Sequence, residues 1–162
     1  MAELKAKLIL VTYREPGTHD DDIRVFSLHD DTTIPSAIAY QPDGRFTIGR
    51  QAMQEHNCIF WMKLLLSNHQ ILSDYNNTSL TEIVRREWVR LPENKKDVST
   101  VVADFSRSLL DSLRTTLHQI PYLTDPPTVY YFTIPATWSE SARMDMKKAV
   151  QLAGFEKRSV HH

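Results

Sequence analysis

The chain has 162 residues, of which 41% are hydrophobic and 24% charged, and its formal net charge is −1. These values suit one folded domain with a moderate core and exclude an intrinsically disordered chain. Basic and acidic residues are mixed and no apolar run approaches the roughly 18 residues of a membrane helix, so no nucleic-acid or membrane partner is expected.

The counts of cysteine and glycine narrow the class further. Cys58 is the only cysteine and cannot form an internal disulfide, which fits a reducing compartment. Met1 is not followed by a basic start and an apolar block, so we expect a cytoplasmic protein. The four glycines form no cluster, whereas a backbone cradle for phosphate needs several close together; they are Gly17, Gly44, Gly49 and Gly154.

The N-terminal part predicts two arms of a hairpin. Leu4–Tyr13 is rich in Leu, Ile and Val and precedes the turn signal Pro16-Gly17, which predicts a strand. Ile23–Leu28 alternates apolar and polar side chains and predicts the second arm.

A second hairpin and a short helix are predicted next. Ser36–Tyr40 and Phe46–Ile48 are apolar runs separated by Asp43-Gly44, a strong short hairpin signal. Gly49–Asn57 predicts a short helix, and Phe60–Leu66 begins a helical or irregular segment.

Helices dominate the middle of the chain. Leu80–Leu91 has helical spacing and stops at Pro92. The clearest helix follows, with Asp97 as its N-cap and apolar residues at three- and four-residue steps as far as Leu117, before Pro121.

The C-terminal part predicts a strand and one more helix. Thr128–Ile134 is a β-branched and aromatic run, which predicts a buried strand. Thr137 and Glu140 form a candidate capping box for a helix whose apolar stripe ends near Gly154, the expected C-terminal stop. The order of elements, antiparallel strands first and then alternating helices and strands, predicts an α/β fold with a sheet of mixed direction.

Three colinear segments carry a family resemblance. The first comprises Thr33-Ile34-Pro35-Ser36 followed by Ile38-Ala39-Tyr40, and the second is the strand-to-helix step from Gly44 to Ala52. The third runs from Thr133-Ile134-Pro135-Ala136 to Arg143, with Ala153-Gly154-Phe155 after its helix. In this order they resemble the ATPase domain shared by actin and the seventy-kilodalton heat-shock chaperones. Trp61-Met62-Lys63-Leu64-Leu65-Leu66 resembles the divergent chaperone-like ATPases of filamentous fungi more than the classical chaperones.

The resemblance implies a fold and a set of roles. The fold would be an incomplete ribonuclease-H-like lobe, a mixed sheet with flanking helices, and residues 1–162 would form that single partial lobe. Lys63 matches the active-site lysine that helps position the attacking water and stabilises charge on the γ-phosphate. Pro135 and Arg143 match residues that relay nucleotide state to a substrate-binding domain. ATP and Mg²⁺ are the implied cofactors, although no residue here is assigned to hold them and no metal ligands are predicted.

The resemblance also shows what this sequence lacks. Family members open with a strand ending in Asp-x-Gly-Thr-Thr, which holds phosphate and the magnesium shell, and no such segment occurs here. The segment with a catalytic glutamate and the second lobe are missing too. We therefore expect a truncated ATPase-domain fragment that does not bind and hydrolyse ATP alone. Two alternatives stay open: a protein-binding module that pairs or self-associates through an open sheet edge, and a fragment of a complete ATP-dependent chaperone-like protein.

Two other patterns are interpreted as structural. Gly44-x-x-x-x-Gly49-Arg50-Gln51 departs from a P-loop where lysine and Ser or Thr are needed, and Gly44 lies in a predicted hairpin turn. The His19 to Asp22 and His29 to Asp31 clusters are predicted to be polar turns, since their spacing fits no closed zinc or calcium loop.

Overall fold

A small antiparallel sheet lies at the centre of the first part of the chain. The computed structural model describes residues 8–14, 17–19, 21–60, 62–66, 91, 97–119, 129–136 and 138–155. Within them, β5 (Ala37–Tyr40) is the middle strand, between β6 (Phe46–Ile48) and β7 (Ile59–Phe60). Both pairings are antiparallel, with Ile38 opposite Ile48 on one side and opposite Ile59 on the other. All four residues of β5 are buried, so the strand is covered on both faces.

The predicted hairpin between β5 and β6 is confirmed, and its turn has a simple cause. Gly44 has φ +86°, which only glycine adopts without strain. Its N–H donates to the Gln41 carbonyl at 3.0 Å, and the Gln41 N–H donates to the Arg45 carbonyl at 2.7 Å. The Asp43 side chain also accepts a hydrogen bond from the Arg45 backbone N–H at 3.0 Å, which stabilises the turn further.

Two further strand pairs precede this sheet. β1 (Leu8–Ile9) pairs antiparallel with β4 (Ile34–Pro35), and β2 (Thr12–Tyr13) pairs antiparallel with β3 (Arg24–Val25). The β2–β3 pair confirms the predicted hairpin. The single strand predicted over Leu4–Tyr13 was wrong within the described residues, because the chain changes its pairing partner between Ile9 and Thr12.

The helix predicted over Gly49–Asn57 is shorter than expected. α1 spans Gly49–Ala52 and packs on β4, β5 and β6. Beyond Ala52 the backbone bonds tighten to i→i+3, from the Gln54 N–H to the Gln51 carbonyl and from the Glu55 N–H to the Ala52 carbonyl. Such bonds typically end a helix. Ala52 packs with Ala37 and Ala39, and small side chains allow the helix to approach β5 closely.

The second part of the chain is helical where it is described. α2 spans Met62–Leu66, α3 spans Val98–His118 and α4 spans Glu140–Leu152. α3 packs against α2 and α4. The predicted helix over Leu80–Leu91 lies outside the described residues except for Leu91, which is in no helix.

The ends of α3 and α4 follow capping rules. Asp97 is the N-cap of α3 as predicted, and its Oδ1 accepts from the Ser99 N–H at 2.9 Å. α4 was predicted to begin with a Thr137 capping box, but its N-cap is Ser139, whose Oγ accepts from the Ala142 N–H at 3.2 Å. The serine hydroxyl supplies the cap bond, so the helix begins two residues later. Gly154 ends α4 with φ +89°, as expected.

Apolar residues of α3 and α4 form the core of this part. The buried members are Val101, Val102, Ala103, Phe105, Leu110, Leu113, Ala142, Ala149 and Ala153. The predicted stripes on both helices are therefore confirmed. The chain divides into two compact units, Met1–Phe60 and Trp61–His162. Among the helices of the described ranges, none has the length and apolarity needed to cross a lipid bilayer.

Candidate functional site

The run predicted to be a buried strand is exposed instead. Residues 129–134, hereafter the exposed segment, belong to no helix or strand. Tyr131 is 90% exposed and Val129 is 62% exposed, while Phe132 and Ile134 are exposed by 40% and 39%. Within the described residues, no backbone hydrogen bond pairs this segment with another part of the chain. The strand prediction was wrong for residues 129–134, because none of the described strands pairs with the edge that their composition suits.

One side of the exposed segment is held by a single aromatic residue. Phe155 packs edge-to-face on Tyr130, with ring centroids 4.8 Å apart, and on Phe132, with centroids 4.9 Å apart. Side chains two residues apart share a face of an extended chain, so these contacts leave Val129 and Tyr131 on the opposite face. Gly154 makes the arrangement possible, since its positive φ turns the chain after α4.

The two residues matched to an interdomain relay each make hydrogen bonds at the turn that follows. The Pro135 carbonyl accepts from the Trp138 N–H at 3.2 Å. Arg143, on the first turns of α4, donates from Nε to the Trp138 carbonyl and from Nη2 to the Ala136 carbonyl, both at 3.2 Å. The guanidinium therefore fixes the turn that joins the exposed segment to α4. Pro135 is half-buried and Arg143 is exposed.

Trp138 anchors this turn in the core. The side chain is only 4% exposed, and its Nε1 has no hydrogen-bond partner among the described residues. A buried indole N–H without a partner costs free energy, so the apolar packing of the ring must offset that loss.

Lys63 lies on a separate element. It is the second residue of α2, and its side chain is half-buried. α2 packs against α3 and α4, so the lysine stands on a helix fixed by the helical core. Its predicted catalytic role remains a prediction.

A small cavity lies in the first unit. Its volume is about 110 Å³, whereas sites for ligands of nucleotide size have about 300–1,000 Å³. It therefore has room for a few atoms only. The lining residues are Leu28, His29, Asp31, Ile34, Pro35, Ile48, Gly49, Arg50, Gln51 and Gln54.

An ion pair closes one wall of this cavity. Arg50 donates from Nε and Nη2 to the two carboxylate oxygens of Asp31, each at 2.7 Å. This hydrogen bonding lowers the pKa of Asp31 and raises that of Arg50. Because Asp31 already occupies the guanidinium fork, Arg50 is not poised to receive a phosphate.

The acidic clusters are turns, as predicted. His29 and Asp30 have φ of +50° and +67°, and the Leu28 and Asp31 backbones exchange hydrogen bonds across them, as in a type I′ turn. At the other cluster, the Asp22 N–H donates to the His19 carbonyl at 3.0 Å. Across the part of the chain that the structure describes, no group of three or more His, Cys, Asp or Glu residues is arranged to hold a metal ion.

The P-loop interpretation has no support from the glycine positions. Gly44 lies in the β5–β6 hairpin turn, as predicted, and Gly49 begins α1 with φ +65°. A Cβ at Gly49 would lie 3.3 Å from Ile34 Cγ2, so this glycine serves close packing between α1 and β4.

No protein-family model matches the chain.

Proposed function

We propose that this chain is a partial lobe of an actin-like, chaperone-type ATPase domain that acts in the cytoplasm through protein contact rather than by hydrolysing ATP alone. The support is twofold: the colinear resemblance, which spans Ile23 to Phe155, and the exposed segment. A ribonuclease-H-like origin of the fold belongs to the same proposal.

The exposed segment is the observation that carries the proposal. Its sequence, Val-Tyr-Tyr-Phe-Thr-Ile, has high β-propensity and no charge. Its backbone N–H and C=O groups have no strand neighbour within the described residues. A backbone without a strand neighbour can bind an extended partner through main-chain hydrogen bonds, while alternate side chains contribute apolar contact. Tyr131, at 90%, is the most exposed large hydrophobic residue in the part of the chain that the structure describes.

The positions of the glycines support the expectation that this chain does not hold ATP with Mg²⁺ alone. Phosphate binding requires several converging backbone N–H groups, and the metal needs oxygen ligands beside them. Each of the four glycines here serves a local turn or helix end instead. We therefore assign Lys63 a match to the family position but no step in a reaction.

Calorimetry with magnesium-ATP tests the absence of independent nucleotide binding. We expect no saturable heat up to about millimolar ATP, a concentration that half-fills a site with a Kd of about 1 mM, that is, a standard binding free energy of about −4 kcal/mol. Saturable binding that Lys63→Ala weakens would contradict the proposal and favour a fragment of a working ATPase.

A strand-shaped peptide tests the positive half of the proposal. The probe is a fluorescent seven-residue peptide of alternating Val and Thr, and the control peptide carries Pro at alternate positions and so loses backbone donors. We expect the first to raise its anisotropy on binding and the second not to. Tyr131→Pro should abolish the response, because it removes a donor from the exposed segment. Equal binding of both peptides would show that strand addition is not the mode.

A further inference from the structure

The exposed segment needs a strand, and the described part of its own unit supplies none. Every regular element described between Trp61 and His162 is a helix: α2, α3 and α4. Val129 and Tyr131, on the free face of the segment, are exposed by 62% and 90%. Since the described part of this unit contains no strand, a strand that pairs with the segment must come from outside the described helices.

The sequence around the segment favours an identical partner. From Pro126 to Ser139 the chain has no charged residue, so two copies approach without like-charge repulsion. Short uncharged runs of high β-propensity without Pro or Gly are the ones that pair with themselves. Pro127 and Pro135 bound the run on either side and limit how far pairing extends.

We propose that two copies of this chain associate by antiparallel pairing of the exposed segment about a two-fold axis at Tyr131. The proposal rests on the protein-contact function above and names its partner, a second copy. In this register Tyr131 is opposite Tyr131, Val129 is opposite Thr133, and Tyr130 is opposite Phe132.

The aromatic contacts explain why this register is favoured. Tyr130 and Phe132 share the face that packs on Phe155. When each is placed opposite the other in the second copy, two aromatic cross-strand pairs form on that face. The Phe155 ring of each copy then borders the paired rings. A two-fold pair is also closed, because each copy uses the same edge once.

The register predicts Cα–Cα distances between the two copies, and disulfide cross-linking can test these distances. Directly opposite residues of an antiparallel pair have Cα atoms about 4.5–5.5 Å apart, within the range that a disulfide spans. The two copies of residue 129 would instead be separated by about four residues along the strands, roughly 13 Å. A disulfide does not span that distance.

The experiment compares Tyr131→Cys with Val129→Cys, both in a Cys58→Ala background, under mild oxidation. We expect Tyr131→Cys to form a disulfide dimer at least about tenfold faster than Val129→Cys. Equal cross-linking at both positions would indicate parallel, in-register pairing and overturn the proposal. No cross-linking at either position would overturn it as well.

Sedimentation without an introduced cysteine gives an independent reading. We expect the unmodified chain to associate as its concentration rises, Tyr131→Asp to remain monomeric, and Met144→Asp to behave as the unmodified chain. Met144 is the matched control, since it is an apolar residue of α4 with 54% exposure. Circular dichroism must show that both variants keep their helices.

The outcomes separate this proposal from the function on which it rests. A chain that stays monomeric but still binds the Val-Thr peptide would overturn the second copy and retain strand addition to another protein. A chain that neither associates nor binds that peptide would overturn both.

Discussion

Two short apolar runs of this protein differ in burial: β5 is buried and the exposed segment is not. β5, Ala37–Tyr40, lies between two strands, and all four of its residues are buried. The exposed segment has the stronger β-composition, yet it has no strand neighbour among the described residues, and Tyr131 is 90% exposed. The difference shows that β-forming composition alone does not make a strand, because pairing and burial depend on which neighbours the chain brings to each edge.

Two isoleucines give the largest contrast between these runs. Ile38 in β5 is 0% exposed and Ile134 in the exposed segment is 39% exposed. We expect Ile38→Ala to lower the free energy of unfolding by about 2–5 kcal/mol, since it removes buried methyl groups and leaves a cavity. Ile134→Ala should change it by less than about 1 kcal/mol. Urea unfolding at low protein concentration measures both.

The same pair of variants can break the comparison. Equal destabilisation would mean that Ile134 is as well packed as Ile38, and the exposed segment would then not be a free edge. A loss for Ile134→Ala that appears only at high protein concentration would instead report self-association, because binding stabilises the folded state by mass action.

The second comparison is between the helices α3 and α4, which Asp97 links, and the strand β5. Asp97 caps α3 and also pairs with Lys148 of α4, so one carboxylate serves both helices. Asp97→Ala should cost about 1–2 kcal/mol of helix stability, and Asp97→Asn less, because asparagine still caps. Hydrogen exchange should locate the loss in α3 and α4 and leave β5 protected as before. A uniform loss across the chain would contradict this assignment.

The pH dependence of this contribution has a definite sign. The hydrogen bond from Lys148 lowers the pKa of the Asp97 carboxyl from its ordinary 3.8. The stabilisation is therefore present above the unfolded-state pKa and is lost as pH falls through the lower folded-state pKa. Asp97→Asn should lack this acid-dependent part, and because the pair is exposed its size should stay below about 1 kcal/mol.

Local patterns predicted the local structure well. Asp43-Gly44 predicted the hairpin turn, Asp97 the start of α3 and Gly154 the end of α4, because each depends on neighbours within a few residues. The capping box at Thr137 failed through competition: Ser139 offered an equivalent oxygen two residues later.

Features that depend on distant partners were not predictable. Leu4–Tyr13 has the composition of one strand, and nothing in it indicates that β1 and β2 pair with different neighbours. The exposure of residues 129–134 was missed for the same reason. The hydrogen bonds from Arg143 to the Ala136 and Trp138 carbonyls were not predicted either, since no local pattern in the sequence indicates them.

The next prediction concerns the hydrogen bonds that hold the turn between the exposed segment and α4. Arg143→Ala removes both bonds to the Ala136 and Trp138 carbonyls and should cost about 0.5–1.5 kcal/mol, since those carbonyls turn to water instead. Arg143→Lys should lose part of this, because an ammonium lacks the fork. Faster exchange at the Trp138 amide, with Arg114→Ala as an exposed control on α3, would confirm the role. No change at that amide would count against it.

The last prediction compares the chemical reactivity of two thiols, one buried and one in the exposed segment. Burial raises the pKa of the Cys58 thiol to about 12. A thiol in the exposed segment, introduced as Tyr131→Cys with Cys58→Ala, should keep a pKa near the ordinary value of about 8.5. At pH 8 the thiolate fraction of Cys58 is then lower by a factor on the order of 10³, and only the thiolate reacts.

Alkylation by iodoacetamide at low protein concentration should therefore modify the Tyr131→Cys thiol far faster than Cys58 in the folded chain, and the two should react alike in denaturant. The denatured rates serve as the control for intrinsic reactivity, so a difference that remains only in the folded state belongs to burial. Native rates within tenfold of each other would mean that β5, β7 and α1 open around Cys58 as readily as solvent reaches residue 131. In that case the buried and the exposed run would differ in their average structure but not in the access that water and small reagents have to them.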